Sequence, residues 1–244
     1  MLSNKIYYLL SSNQNEQAFQ LLSEVWPLIP QINNHQVVLE LYKYRVILLR
    51  KGKNYQKAIE CCKEGIQVGY RRKSLTRTID LLLLLGSIHL RKQEFDKANH
   101  CFQMALSLDK NFDFPRRHID TFTYFGLLCT KQGKWQEADE FLKRAIEKGR
   151  QIKDIFRLTK ALIAKGNCYV GQQQYEKAAP YYQEAADLVQ QNDHKSLQFI
   201  ALFKLGEFFD SLGKEEEFNH CTRRLFFLQH EMKLEDEDDF YDIL

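Results

Sequence analysis

Y-Q-K-A at Tyr55–Ala58, F-D-K-A at Phe95–Ala98, W-Q-E-A at Trp135–Ala138 and Y-E-K-A at Tyr175–Ala178 stand 40 residues apart along this chain. A fixed step of that size marks one supersecondary unit copied and stacked, each copy burying its apolar face against its neighbours. The step carries back to Ala18, inside N-E-Q-A-F, and forward to Phe218, inside G-K-E-E-E-F, so six copies account for the 244 residues. The first and last copies are the most degenerate, as terminal repeats are when one face meets water in place of a neighbour.

Inside a copy, the apolar spacing is that of two helices. Leu82, Leu85, Gly86 and His89 precede Ala98, Phe102 and Ala105. Phe122, Phe125, Gly126 and Cys129 likewise precede Ala138, Leu142 and Ala145, and Leu162, Gly166 and Tyr169 precede Ala178, Tyr182 and Ala185. Recurrence at i, i+3, i+4 and i+7 lines these residues along one stripe of a helix. The stripes are separated by K-G-K-N (51–54), R-K-Q-E (91–94), K-Q-G-K (131–134), G-Q-Q-Q (171–174) and S-L-G-K (211–214). These are polar and often glycine-bearing, which suits a tight helix-to-helix turn. No strand alternation competes. The predicted fold is all-α, an α-solenoid of about six antiparallel hairpins forming a single domain over residues 1–234, with an acidic and hydrophobic tail over 235–244.

This pattern resembles the tetratricopeptide repeat, whose apolar pair, Gly and large residue, then Ala, aromatic and Ala, are met closely in the third to fifth copies. The resemblance covers nearly the whole chain. It departs at Ile6 and Val46, which replace the usual Gly, and at Thr222 and Leu225, which replace the later aromatic and small residue; looser or altered packing is expected at those ends. The usual unit is about 34 residues. The extra residues, enough to lengthen both helices by a turn or less, are expected mainly between hairpins, in 71–75, 111–117 and 191–196, with Pro115 opening a helix. Rotation accumulated between units gives a right-handed superhelix with a concave inner wall, the surface such arrays use for binding.

Composition agrees: 44% hydrophobic, 27% charged and four prolines belong to a soluble helical protein with a continuous core. The longest apolar run, Leu81–Leu85, is far too short to cross a membrane, and no charged leader with an apolar core opens the chain. A cytoplasmic location is expected. Cys61, Cys62, Cys101, Cys129, Cys168 and Cys221 form no C-x-x-C pair and are read as reduced, buried, small hydrophobes. The seven histidines form no metal-binding pair. No nucleophile elbow, phosphate loop or local nucleophile–base cluster appears, so neither enzyme activity, cofactor nor metal is expected. Residues 235–242 carry six acids and no Lys or Arg; removing their minus six from the net +3 leaves +9 on the body. Such a field favours an acidic peptide or protein face. Lys and Arg are spread without interleaved exposed aromatics, which argues against direct nucleic-acid binding.

If Gly166 faces the packed interior, Asn167 is turned about 100° from it and shares a stripe with Lys160, Ile163, Ala164 and Gly171. Stepping by 40 gives Asp120, Thr123, Tyr124, Leu127 and Lys131 in the fourth unit and Asp80, Leu83, Leu84, Ser87 and Arg91 in the third. The sixth contributes Ile200, Phe203, Lys204, Glu207 and Ser211, and the second Glu40, Lys43, Tyr44, Ile47 and Lys51. Asn167 can both donate to and accept from a peptide backbone. Lys131, Lys160 and Lys204 suit a carboxylate, Asp80 and Asp120 an amine or basic side chain, and Leu83, Tyr124 and Phe203 side-chain pockets. The candidate partner-binding set is therefore Asp80, Arg91, Asp120, Tyr124, Lys131, Lys160, Asn167, Lys204 and Glu207.

F-R-L-T-K-A-L-I-A-K-G-N-C-Y-V-G-Q-Q-Q-Y-E-K-A, residues 156–178, also resembles the repeats of the Gram-positive bacterial Rap, NprR and PlcR group. That resemblance implies an intracellular receptor for short signalling peptides held on the concave wall with help from helix asparagines, of which Asn167 is the one matched here. The group's amino-terminal module is not recognisable ahead of the first hairpin. The expected function is thus a non-catalytic, peptide-responsive regulator, with homo-oligomerisation left open. A constitutive scaffold that joins two proteins is the alternative.

Overall fold

The computed structural model describes residues 2–12, 14–110, 114–190 and 195–232; the expected tail, 235–244, lies outside them. The described residues form helices α1 (Leu2–Ser11), α2 (Asn15–Val25), α3 (His35–Lys51), α4 (Tyr55–Arg71), α5 (Leu75–Arg91) and α6 (Phe95–Lys110). These are followed by α7 (Pro115–Lys131), α8 (Trp135–Ile152), α9 (Ile155–Gly171), α10 (Tyr175–Gln190), α11 (Lys195–Ser211) and α12 (Glu215–Met232). A 3-10 helix, Trp26–Gln31, follows α2. The chain divides into two compact units, Met1–Arg117 and His118–Leu244. Each is a stack of helical hairpins, and the fold is an all-α solenoid.

The repeat is kept to the residue. Second helices open at Asn15, Tyr55, Phe95, Trp135, Tyr175 and Glu215, and from the second hairpin on the first helices open at His35, Leu75, Pro115, Ile155 and Lys195. Ala18, Ala58, Ala98, Ala138 and Ala178 are each fully buried. The additional length does not fall between hairpins as the sequence suggested. Between α4 and α5 only residues 72–74 are non-helical, and between α8 and α9 only 153–154. The helices instead run to 16–18 residues from α3 onward. A longer helix satisfies its own backbone groups and widens the buried stripe, whereas a longer loop must hand those groups to water. Residues 111–113 and 191–194 lie outside the described set. Pro115 does open α7.

Each hairpin turn closes in one way. The residue three past the helix end donates its N–H five residues back, as in Asn54 to Leu49, Glu94 to His89, Lys134 to Cys129, Gln174 to Tyr169 and Lys214 to Phe209, at 2.8 to 2.9 Å. The residue before it must be left-handed: Lys53, Gln93, Gly133, Gln173 and Gly213 have φ of 55° to 70°. Glycine thus serves the turn in the fourth and sixth copies only. Gly52 has φ −75° and is not the left-handed residue. We expect Gly133→Ala to cost about 1 kcal/mol and Gln173→Gly to stabilise by about 0.5 kcal/mol, read by urea denaturation; the reverse order would contradict the strained-turn account.

Within a hairpin, core volume is shared between two positions 16 apart. A Cβ added at Gly86 would lie 2.2 Å from the Phe102 ring, at Gly126 2.4 Å from Leu142, and at Gly166 2.4 Å from the Tyr182 ring. In the second copy the sizes are exchanged, Val46 with Cys62, and both are fully buried. In the first, Ile6 and Leu22 are also buried. The amino-terminal departures from the pattern therefore do not loosen the packing. The carboxy-terminal one does: Thr222 is exposed, and a Cβ at Gly206 would meet nothing closer than 3.7 Å. All six cysteines are buried and unpaired. Burial pushes the Cys61 thiol up to about 12 and Cys101 to about 11, which leaves them unreactive near neutral pH.

Candidate functional site

The expected inner stripe divides on folding into a packed column and an open one. Leu83, Thr123 and Ile163 are 0 to 4% exposed; Leu83 therefore forms no pocket for a partner. First helices of adjacent repeats pack on one another within each unit, α3 on α5 and α9 on α11. Phe203, at the equivalent place on α11, remains 37% exposed. Arg91 and Lys131 lie exposed at the last turns of α5 and α7.

The polar residues of the wall are organised by a device the sequence reading missed. In the first unit, Arg77 pairs with Glu40, and the Arg117 guanidinium grips Asp80 through two bonds of 3.1 Å. In the second unit, Arg157 pairs with Asp120 at 2.7 Å. Each rung joins a first-helix acid to an arginine 37 residues on, at the start of the next first helix. The signal was present as a doubled period: acids at 40, 80 and 120, arginines at 77, 117 and 157. The side chains are about one-fifth exposed, so the attraction is screened less than at an open surface. Burial works against the Arg157 charge, but Asp120 and Asp154 outweigh it and hold its pKa above the ordinary value. Asp154 also caps α9, accepting from the Arg157 N–H at 3.1 Å. Beside the first-unit rungs, burial depresses the Lys43 amine, with Arg77 adding to the effect against the pull of Asp80. Asp80 and Asp120, singled out for a basic partner, thus already hold the chain's own arginines.

The remaining candidates lie in the second unit. Lys160 is half-buried, its Nζ 5.7 Å from the Tyr124 ring centroid and 5.8 Å from that of Phe156. Lys204 pairs with Glu207 on its own helix at 2.6 Å. Tyr182 donates its hydroxyl proton to Asn167 Oδ1 at 2.7 Å. That bond fixes the amide, and its Nδ2 hydrogens meet no acceptor among the described residues. At the place equivalent to Asn167 in the third copy, Ser87 is buried and accepts from Arg50 Nη1 at 3.2 Å. Among the described residues no cluster of His, Cys, Asp or Glu could hold a metal ion, and no helix is long and apolar enough to cross a membrane.

Behind the wall, α9 carries a second unforeseen feature. Lys165 is 3% exposed and stands where Leu85, Phe125 and Leu205 occupy other copies. Its ammonium reaches the Asp139 carboxylate and donates to the Asp139 carbonyl at 3.1 Å, while the Tyr169 hydroxyl donates to the same carboxylate at 3.3 Å. Burial raises the Tyr169 pKa, helped by Tyr181 and Asp139.

Tetratricopeptide-repeat family models match residues 77–151 and 159–192. The chain carries tetratricopeptide repeats over these residues. A curated protein that this chain resembles is the Arabidopsis thaliana chloroplastic protein FLUORESCENT IN BLUE LIGHT, 28% identical over 100 residues, 41% of this chain and 32% of that one. The chain therefore spans about a third of the length of the curated relative it matches. Among solved structures, a Rap protein complexed with competence and sporulation factor superposes with TM-score 0.72 and 16% identity, over 98% of this chain and 78% of that one. NprR in complex with its cognate peptide NprX gives 0.67 and 14%, over 99% and 75%. At these identities the likeness is one of fold.

Proposed function

We propose that this chain binds an extended peptide or protein segment along the wall of its first helices and acts as a non-catalytic, peptide-responsive regulator in the cytoplasm. The observation that carries the reading is Asn167: a half-buried amide, oriented by Tyr182, with donor hydrogens open to a ligand carbonyl. A peptide backbone buried against a helix wall needs such partners, because an unpaired amide or carbonyl there is costly. Tyr124 and the exposed Phe203 add apolar contact in the same unit. The likeness in fold to Rap and NprR, each solved with a peptide or signalling factor bound, supports the same use of the array.

The test begins with a displayed library of random octapeptides selected on the purified chain, followed by calorimetry of the enriched sequences. Asn167→Ala is expected to weaken binding about tenfold, the worth of one hydrogen bond; an unchanged affinity removes Asn167 from the site. Small-angle scattering then separates a regulator from a scaffold. A regulator compacts or changes oligomeric state when peptide is added, and a constitutive scaffold keeps both.

A further inference from the structure

The charged rungs between repeats follow a rule that the fifth copy breaks. At positions 40, 80 and 120 the wall carries Glu, Asp and Asp, each neutralised by the arginine 37 residues on. At 160 the acid is replaced by lysine, and at 197 the arginine by Leu197, which is 1% exposed. Among the described residues, then, the reversal is not compensated at the equivalent position. Lys160 has no carboxylate in ion-pair range among the described residues, and its ammonium lies 5.7 Å from the Tyr124 ring centroid and 5.8 Å from that of Phe156.

The other two lysines singled out for this chemistry differ. Lys204 is neutralised by Glu207, and Lys131 is exposed at a helix end. Lys160 is half-buried, and two aromatic faces limit its freedom. A positioned ammonium that has lost part of its water loses less on meeting an anion than a fully solvated one does.

We infer that Lys160, framed by Tyr124 and Phe156, is the seat for a carboxylate of the bound peptide. This rests on the binding reading above and adds to it the chemistry and the place of one contact. The carboxylate is either the peptide's own carboxy terminus or an Asp or Glu side chain; the two present the same group to the ammonium.

The experiment uses octapeptides enriched on the wild-type chain, each made with a free carboxy terminus, with a terminal amide, and with each Asp or Glu changed to its amide. On the wild-type chain one of these amide changes is expected to reduce affinity about 10- to 100-fold, and which one does so names the source of the carboxylate. Lys160→Gln and Lys160→Met are expected to bind the acid form no better than wild type binds the amide form, while Lys160→Arg retains the preference. Far-ultraviolet circular dichroism on heating checks that the variants fold, and the wild-type arm stands even if they do not. Peptides that bind with no preference for acid over amide, or whose preference survives Lys160→Gln, overturn the carboxylate seat and leave the binding function intact. A library that yields no bound peptide overturns both.

Discussion

Gly86→Val is expected to destabilise the third hairpin by about 3 kcal/mol and Phe102→Cys by about 3 kcal/mol, while the double variant recovers about 2 kcal/mol of the sum. The first change drives a branched side chain into a ring that would already lie 2.2 Å from an added Cβ. The second removes most of a fully buried ring and leaves a void that its neighbours on α5 and α6 close only in part. Together the changes reproduce the arrangement that the second copy already uses, where Val46 and Cys62 are both fully buried. Because an array can open repeat by repeat, the measurement is hydrogen exchange in α5 and α6 alongside urea denaturation. Strictly additive losses would mean that the two positions do not share one volume.

Asp139→Ala is expected to cost about 2 kcal/mol, because it leaves the Lys165 ammonium buried without its carboxylate. The figure is set below that for a fully buried pair since the Asp139 side chain is 44% exposed. Lys165→Leu, in contrast, is expected to be neutral or stabilising, since leucine fills the same place in the third and sixth copies. The double variant should match Lys165→Leu alone. Chemical denaturation of the three variants decides it: if Lys165→Leu costs as much as Asp139→Ala, the lysine stabilises the fold outright, and the asymmetry argued here is wrong.

The candidate site was legible in its residues and less so in their roles. Helical phase placed Asn167, Lys160 and Tyr124 on the side away from Gly166, and all three remain at least partly exposed there. The same phase placed Leu83 and Ile163 beside them, and these are buried. One helix's periodicity says which way a side chain points but not what arrives in front of it. Asp80 and Asp120 show the same limit. Their partners, Arg117 and Arg157, lie 37 residues on and become neighbours only through stacking.

The 40-residue recurrence of the aromatic-x-x-Ala blocks, with the i, i+3, i+4 and i+7 spacing inside each copy, was enough to determine an all-helical array; that the blocks at Tyr55, Phe95, Trp135 and Tyr175 open second helices came from the structure. Periodicity is a local property that every copy states again. What tertiary structure alone decided is which wall residues are already matched within the array and which are not. That depends on contacts between helices of different repeats, where Arg157 reaches Asp120 while Lys160 meets the Tyr124 ring and, among the described residues, no carboxylate.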